Sequence, residues 1–213
     1  MSFRDRTEAG KQLAEKLVEY RDQPDLLVLA LPRGGVPVAF EVAQVLHAPL
    51  DVFIVRKLGV PGQEELAFGA IATGGVRVLN QTIIKRFQIT PEEVEAVTTV
   101  EQDELKRRQR LYRGDRPLPE IRDHTIILVD DGLATGATMH AAVVAIRQQE
   151  PARLIVGVPI SSPEMCAAFQ DEVDEIICAV TPEPFYAVGL WYEDFPQVTD
   201  AEVHNLLAET YSA

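Results

Sequence analysis

The chain has 213 residues, enough for one sizeable core that buries roughly 70% of the unfolded surface without covalent staples. It carries 33 acidic against 20 basic side chains, a net charge of −13, which argues against nucleic acid or an anionic membrane as main partner. The two cysteines and four histidines show no metal-ligand spacing, and no apolar run reaches membrane-span length.

The first residues, Met1 to Arg6, are charged and lack the apolar centre of a signal peptide, so a cytoplasmic protein is expected. Cys166 and Cys178 fall in a predicted helix and strand, where free thiols packed like small apolar residues are expected. Residues 5–21 predict a helix with Ala9, Leu13, Leu17 and Tyr20 on one stripe, broken at Gln23-Pro24-Asp25. Leu26 to Leu31 is apolar throughout, which predicts a strand covered on both faces. It opens into Pro32-Arg33-Gly34-Gly35, and a helix follows from about Val36 to Leu46. Gly34 and Gly35 let the backbone approach an anion, and Arg33 offers a planar fork of donors. A plain turn with a surface arginine has the same composition.

Leu50 to Val55 predicts the next strand, delivering Arg56 and Lys57 into Leu58-Gly59-Val60-Pro61-Gly62-Gln63-Glu64-Glu65. Glycine and proline punctuate this segment as they do a mobile lid; a solvated strand end is the simpler alternative. Ala67–Ala72 and Val76–Asn80 flank Thr73-Gly74-Gly75, a hairpin signal. Thr90-Pro91-Glu92-Glu93 starts a long helix over 91–113 with a cap, a first-position proline and first-turn acids. Lys106, Arg107, Arg108, Arg110 and Arg113 crowd its far end, where the helix dipole favours cations.

Ile126 to Val129 is a second uniformly apolar strand, followed by Asp130-Asp131-Gly132-Leu133-Ala134-Thr135-Gly136-Ala137-Thr138. Met139, Ala142, Val143 and Ile146 then repeat with helical spacing. Strand, acidic pair, small-residue loop and helix start form a phosphate-site layout, since the N–H groups and positive dipole end of a helix suit an anion. Gly132 and Gly136 allow close approach, and Thr135 and Thr138 add hydroxyls. The carboxylates are better placed to accept hydrogen bonds from sugar hydroxyls or to approach a metal. Neither G-x-G-x-x-G nor a Walker G-x-x-x-x-G-K is present. A strand over 154–158, a helix near 163–170 and a strand over 175–180 follow. Thr181 to Pro184 opens an aromatic segment that runs to Phe195. Its rings, Tyr186 and Trp191 among them, suit a planar heterocycle or else a small aromatic core under a last helix, 200–210.

The thirteen residues from Ile126 to Thr138 resemble the phosphoribosyl-pyrophosphate (PRPP) motif of the type I phosphoribosyltransferases. The resemblance implies an α/β fold: a Rossmann-like parallel sheet flanked by helices. One domain over 1–213 is expected, with a lid hairpin at 57–80, a helical insertion at 81–115 and a hood at 181–213. The implied reaction displaces pyrophosphate from PRPP by a ring nitrogen of a nucleobase. Asp130 and Asp131 would hold the ribose hydroxyls beside an oxocarbenium-like transition state. Gly132, Leu133, Ala134, Thr135, Gly136, Ala137 and Thr138 would cradle the 5-phosphate.

Arg33, Gly34 and Gly35 match the family's pyrophosphate loop. Arg56-Lys57-Leu58-Gly59-Val60-Pro61-Gly62 resembles the edge of the catalytic loop in adenine phosphoribosyltransferases, which brings Arg56 and Lys57 to the leaving group. Tyr186, ahead of Gly189, resembles a hood aromatic that lies on the base, with Trp191 close by. Mg²⁺ is expected mainly on the substrate, with few dedicated protein ligands. The implied partners are PRPP and a nucleobase-like acceptor, and the resemblance leaves room for a homodimer. Ala134 stands where 6-oxopurine enzymes carry a further aspartate, so the acid–base group is not identified; Glu64, Glu65, Glu193 and Asp194 are candidates. Two other readings stay open: a PRPP- or nucleotide-sensing regulator without chemistry, and an α/β enzyme acting on another phosphorylated sugar.

Overall fold

The computed structural model describes residues 2–212; Met1 and Ala213, at the ends of the expected domain, lie outside the described residues. The strands are β1 (Leu26–Ala30), β2 (Leu50–Val52), β3 (Val55–Val60), β4 (Gln63–Ala72), β5 (Val76–Leu79), β6 (Thr125–Val129), β7 (Arg153–Ile160) and β8 (Glu175–Val180). The helices are α1 (Arg6–Lys16), α2 (Gly35–Leu46), α3 (Gln81–Arg86), α4 (Pro91–Arg113), α5 (Ala137–Arg147), α6 (Pro163–Phe169) and α7 (Asp200–Ser212). None is long and apolar enough to cross a membrane.

Five strands form a parallel sheet in the order β2-β1-β6-β7-β8. Its strands lack alternation because helices cover both faces. Val28, Ala30, Ile127 and Val129 pack with Leu13 of α1, Leu17 just past its end, and Val38 and Val42 of α2. Leu27, Leu29, Ile126 and Leu128 point the other way, onto Met139, Val143 and Ile146 of α5 and Phe169 of α6. The chain order reverses between β1 and β6, and the register sets Ala30 opposite Val129. The loops after these strands therefore leave the sheet side by side, at the crevice where open α/β sheets take their ligands.

The expected strand over 50–55 divides. β2 ends at Val52, and β3 starts at Val55, so Arg56 and Lys57 lie within a strand rather than at a loop root. The lid-like segment 58–65 is largely strand: β3 and β4 pair antiparallel around a turn at Pro61–Gly62, where Gly62 has φ 77°. β4 and β5 then pair across Thr73–Gly75, completing a three-stranded sheet. The expected helix over 5–21 is shorter, because α1 stops at Lys16 and a 3-10 turn, Val18–Tyr20, follows.

α4 starts with a full capping box between Thr90 and Glu93. Its cationic end is only partly the dipole effect expected. Arg107 and Arg108 both pair with Glu104 on the surface, whereas Arg113 turns inward and grips Asp51 of β2 at 2.7 and 2.8 Å. The expectation for the cysteines is overturned, since Cys166 of α6 and Cys178 of β8 are joined in a disulfide. The sequence lacks a disulfide framework, and only the packing of α6 on the edge strand brings the two thiols together.

Candidate active site

β6 delivers Asp130 and Asp131 to the crevice. The Asp130 carboxylate accepts the Asp131 N–H at 2.8 Å. Burial pushes the Asp130 carboxyl well above the ordinary aspartate range, and the neighbouring Asp131 charge adds to the rise. Burial pushes Asp131 up as well, and Arg6 opposes it: Nε and Nη2 of Arg6 both lie 2.8 Å from Asp131 Oδ2.

The loop after β1 closes on this pair. A Cβ on Gly34 would overlap the Asp131 carboxylate, and one on Gly35 would lie 2.7 Å from the Val129 carbonyl oxygen and 2.9 Å from Asp130 Cα. Gly34 has φ −59° and ψ −33°, open to any residue, so glycine is needed there for space rather than for conformation. The Pro32–Arg33 peptide is cis, and Arg33 stands half-exposed, 3.7 Å from Asp200 at the start of α7.

Gly132 begins the loop after β6 pressed against Val188 and Ile160. Leu133 is buried; its N–H donates to the Ile160 carbonyl at 2.9 Å and its carbonyl accepts from Ser161 Oγ at 3.2 Å. Leu133 thus anchors the loop to β7, and its side chain faces the core. Ala134, Thr135, Ala137 and Thr138 are exposed around the open first turn of α5. Gly136 caps α5 in the left-handed region, φ 71°, where a Cβ would lie 2.9 Å from Met165 Sδ and from the Phe169 ring. α6 is therefore the wall behind this loop.

A cavity of about 690 Å³ lies between the β3–β4 hairpin and α4, with Pro32 and Thr138 also in its lining. Lys57 is exposed at its side, and Glu64 and Glu65 also line it. Arg56 is not free to reach across, because Glu101 of α4 holds Nε and Nη2 at 2.6 Å. Sequence spacing could not show this partner, which comes from the helical insertion.

The two hood aromatics separate. Tyr186 is 80% exposed, while Trp191 packs into a small cluster with Phe3, Ile160 and Tyr192. That aromatic core forms against the N-terminal segment, not under the last helix. Phe3 N–H donates to the Trp191 carbonyl, and Glu193 N–H to the Phe3 carbonyl, each at 2.8 Å. Glu193 and Asp194 have exposed side chains, and their N–H groups are held by Phe3 and Arg4.

Sequence reasoning missed two residues. Tyr192 Oη donates to the Asp131 carbonyl at 2.6 Å. Arg6 grips the Asp131 side chain, and its signal was legible: it stands three residues before Ala9, at the head of the apolar stripe of α1, where a solvated cation does not belong. Among the described residues no group of three or more His, Cys, Asp or Glu converges to hold a metal.

Comparison with known proteins fits this geometry. Residues 4–180 match the family described as phosphoribosyl transferase domain. Proteins from two strains of Mycobacterium tuberculosis, each named "Putative phosphoribosyl transferase", are 45% identical over 201 residues, covering 94% of this chain. The chain spans 45% of the length of those relatives. The crystal structure of TT1426 from Thermus thermophilus is 42% identical, with TM-score 0.86 over 98% of this chain and 99% of that one. AQ2163 from Aquifex aeolicus, 15% identical with TM-score 0.50 over 95% of this chain and 84% of that one, shares the fold.

Proposed function

Because this chain belongs to the phosphoribosyl transferase family, we propose that it binds PRPP with Mg²⁺ and transfers the phosphoribosyl group to a ring nitrogen of a base, releasing pyrophosphate. The observation that carries this reading is the contact of two loops far apart in sequence. Gly34 and Gly35 pack directly on Asp131 and Asp130, and Pro32 lines the same cavity as Thr138 in the first turn of α5. One crevice thus offers an acidic pair between two backbone cradles for anions.

In the reaction the bond from the anomeric carbon to the pyrophosphate oxygen breaks, and a bond to the base nitrogen forms as that nitrogen loses its proton. Asp131, charge-paired and oriented, would accept from a ribose hydroxyl and place negative charge near the cationic sugar. Asp130, with its raised carboxyl, would donate as well as accept. The α5 start and Thr135 and Thr138 would bind the 5-phosphate, and Arg33 and Lys57 the pyrophosphate. When bound, Mg²⁺ would neutralise charge on the pyrophosphate oxygens. Mg²⁺ keeps several waters and binds through substrate phosphates with one or two carboxylates, a donor set that Asp130 and Asp131 would fit.

Ala134 has only a methyl group and moves no proton. Missing acid–base help typically costs about 10²–10⁴-fold in rate, so hypoxanthine and guanine should be poor acceptors. Adenine is the first base to test, served by Glu64 or Glu65 from the hairpin. The second reading is a PRPP-binding regulator, favoured by the capture of Arg56 by Glu101.

The test is PRPP calorimetry with and without Mg²⁺, followed by kcat/KM for adenine, hypoxanthine, guanine, xanthine, uracil and orotate. Transfer to adenine above the others supports the first reading. Tight PRPP binding without turnover of any base supports the second, and no PRPP binding overturns both.

A further inference from the structure

Arg6 spends every face of its guanidinium on the crevice. Nε and Nη2 take Asp131 Oδ2, each at 2.8 Å, and Nη1 donates to the Pro196 carbonyl at 2.7 Å. The plane lies over the Phe195 ring, 3.8 Å from its centroid. The backbone behind it is locked, because α1 packs on α2 at Gly10, where a Cβ would lie 2.7 Å from the Val38 carbonyl oxygen. On the other side of Asp131, Tyr192 Oη holds its carbonyl.

We propose that Arg6 is a positioning residue for the phosphoribosyl site: it fixes the Asp131 carboxylate by one oxygen, leaves Oδ1 for a ribose hydroxyl, and makes that arrangement depend on the seating of segment 192–196. The inference rests on the function proposed above and adds a residue outside the PRPP run to it. Both contacts of Arg6 go to Oδ2 and none to Oδ1, so the fork orients the carboxylate without filling it. A planar, permanently charged fork does this; a lysine, a point charge on a flexible stem, does it less well. Phe195 and Pro196 close the device: if the hood segment lifts, the guanidinium loses its aromatic floor and a carbonyl partner, and Asp131 loses its clamp. The charged or titratable groups facing Asp131 are Arg6 from α1, Asp130 from its own strand end and Tyr192 from the hood segment.

The experiment compares wild type with Arg6→Lys, Arg6→Gln and Tyr192→Phe. Calorimetry measures ribose 5-phosphate and pyrophosphate separately, and carboxyl carbon NMR follows the titration of Asp131 without ligand. Arg6→Gln should weaken ribose 5-phosphate by about tenfold or more, the usual size for a hydrogen bond to a charged group. Pyrophosphate affinity should fall markedly less, since its loop meets Arg6 only through Asp131. The Asp131 carboxyl should titrate at higher pH, and Arg6→Lys should restore part of both effects. Equal loss for the two ligands, or an Asp131 titration that does not move, overturns the proposal. If Arg6→Gln does not fold, Arg6→Lys and Tyr192→Phe decide by the same split. Wild type that binds no ribose 5-phosphate overturns the phosphoribosyl reading and the ribose role with it, whereas the ligand-free titration still reports whether Arg6 governs Asp131.

Discussion

Gly34 and Asp131 are packed so closely that one methyl group on Gly34 would overlap the carboxylate oxygen Oδ2. The Gly34 backbone is in the ordinary right-handed region, so alanine costs nothing in conformation and everything in space. Gly34→Ala should push Asp131 off its Arg6 partner. PRPP-dependent turnover is expected to fall about 10²-fold, the loss typical of a displaced reacting geometry. Steady-state kinetics beside a melting curve check it; full activity in a folded variant would show that the loop yields instead.

Asp130 is held above the ordinary aspartate pKa by burial first and by Asp131 second. A raised folded-state value means the native protein holds a proton that the unfolded chain gives up. Stability should therefore fall as pH rises from the unfolded value near 4 towards the folded one. Asp130→Asn removes that penalty. It should raise Tm by a few degrees, corresponding to roughly 1 kcal/mol in a chain of this size, more at pH 8 than at pH 4, while activity drops. Melting curves across pH settle it; a variant less stable at pH 8 would contradict the sign.

The Cys166–Cys178 bond closes a loop with a sequence separation of 12 and ties α6, the wall behind Gly136, to the edge strand β8. A loop of that length is worth about 3 kcal/mol in the chain-entropy account, and often less in practice. Reduction, or Cys166→Ser, should lower Tm and weaken binding of inorganic phosphate at the α5 start. Cytosolic thiols are usually kept reduced, so the bond and the cytoplasmic expectation from the N-terminus pull in opposite directions. Thiol counting in denaturant without reductant checks the bond directly: two reactive thiols would show the pair unjoined.

Asp51 and Arg113 are 5% and 4% exposed and bind by two parallel hydrogen bonds. Removing one partner strands a buried charge, at about 3–5 kcal/mol. Arg113→Met should be that destabilising, and Asp51→Leu with Arg113→Met should recover most of the loss. Denaturant titrations of the two variants measure it. A single variant within about 0.5 kcal/mol of wild type, the range of a surface substitution, would show that water reaches the pair.

Sequence alone determined the elements whose causes are local. Uniform apolar runs specified β1 and β6, because a strand covered on both faces has no polar side to alternate with. Thr90 to Glu93 wrote the start of α4, and the run from Asp130 to Thr138 marked the turn into α5, because caps and tight turns are made by neighbours in the chain. The tertiary structure decided the contacts that join distant segments. Arg6 meets Asp131 across 125 residues, Arg56 meets Glu101 across 45, and Arg113 meets Asp51 across 62. A charged side chain reads alike in sequence whether it faces water or a buried carboxylate. Only the packing of α1 on α2, of α4 beside β2 and β3, and of the N-terminus on segment 191–194 drew each cation out of water towards one carboxylate.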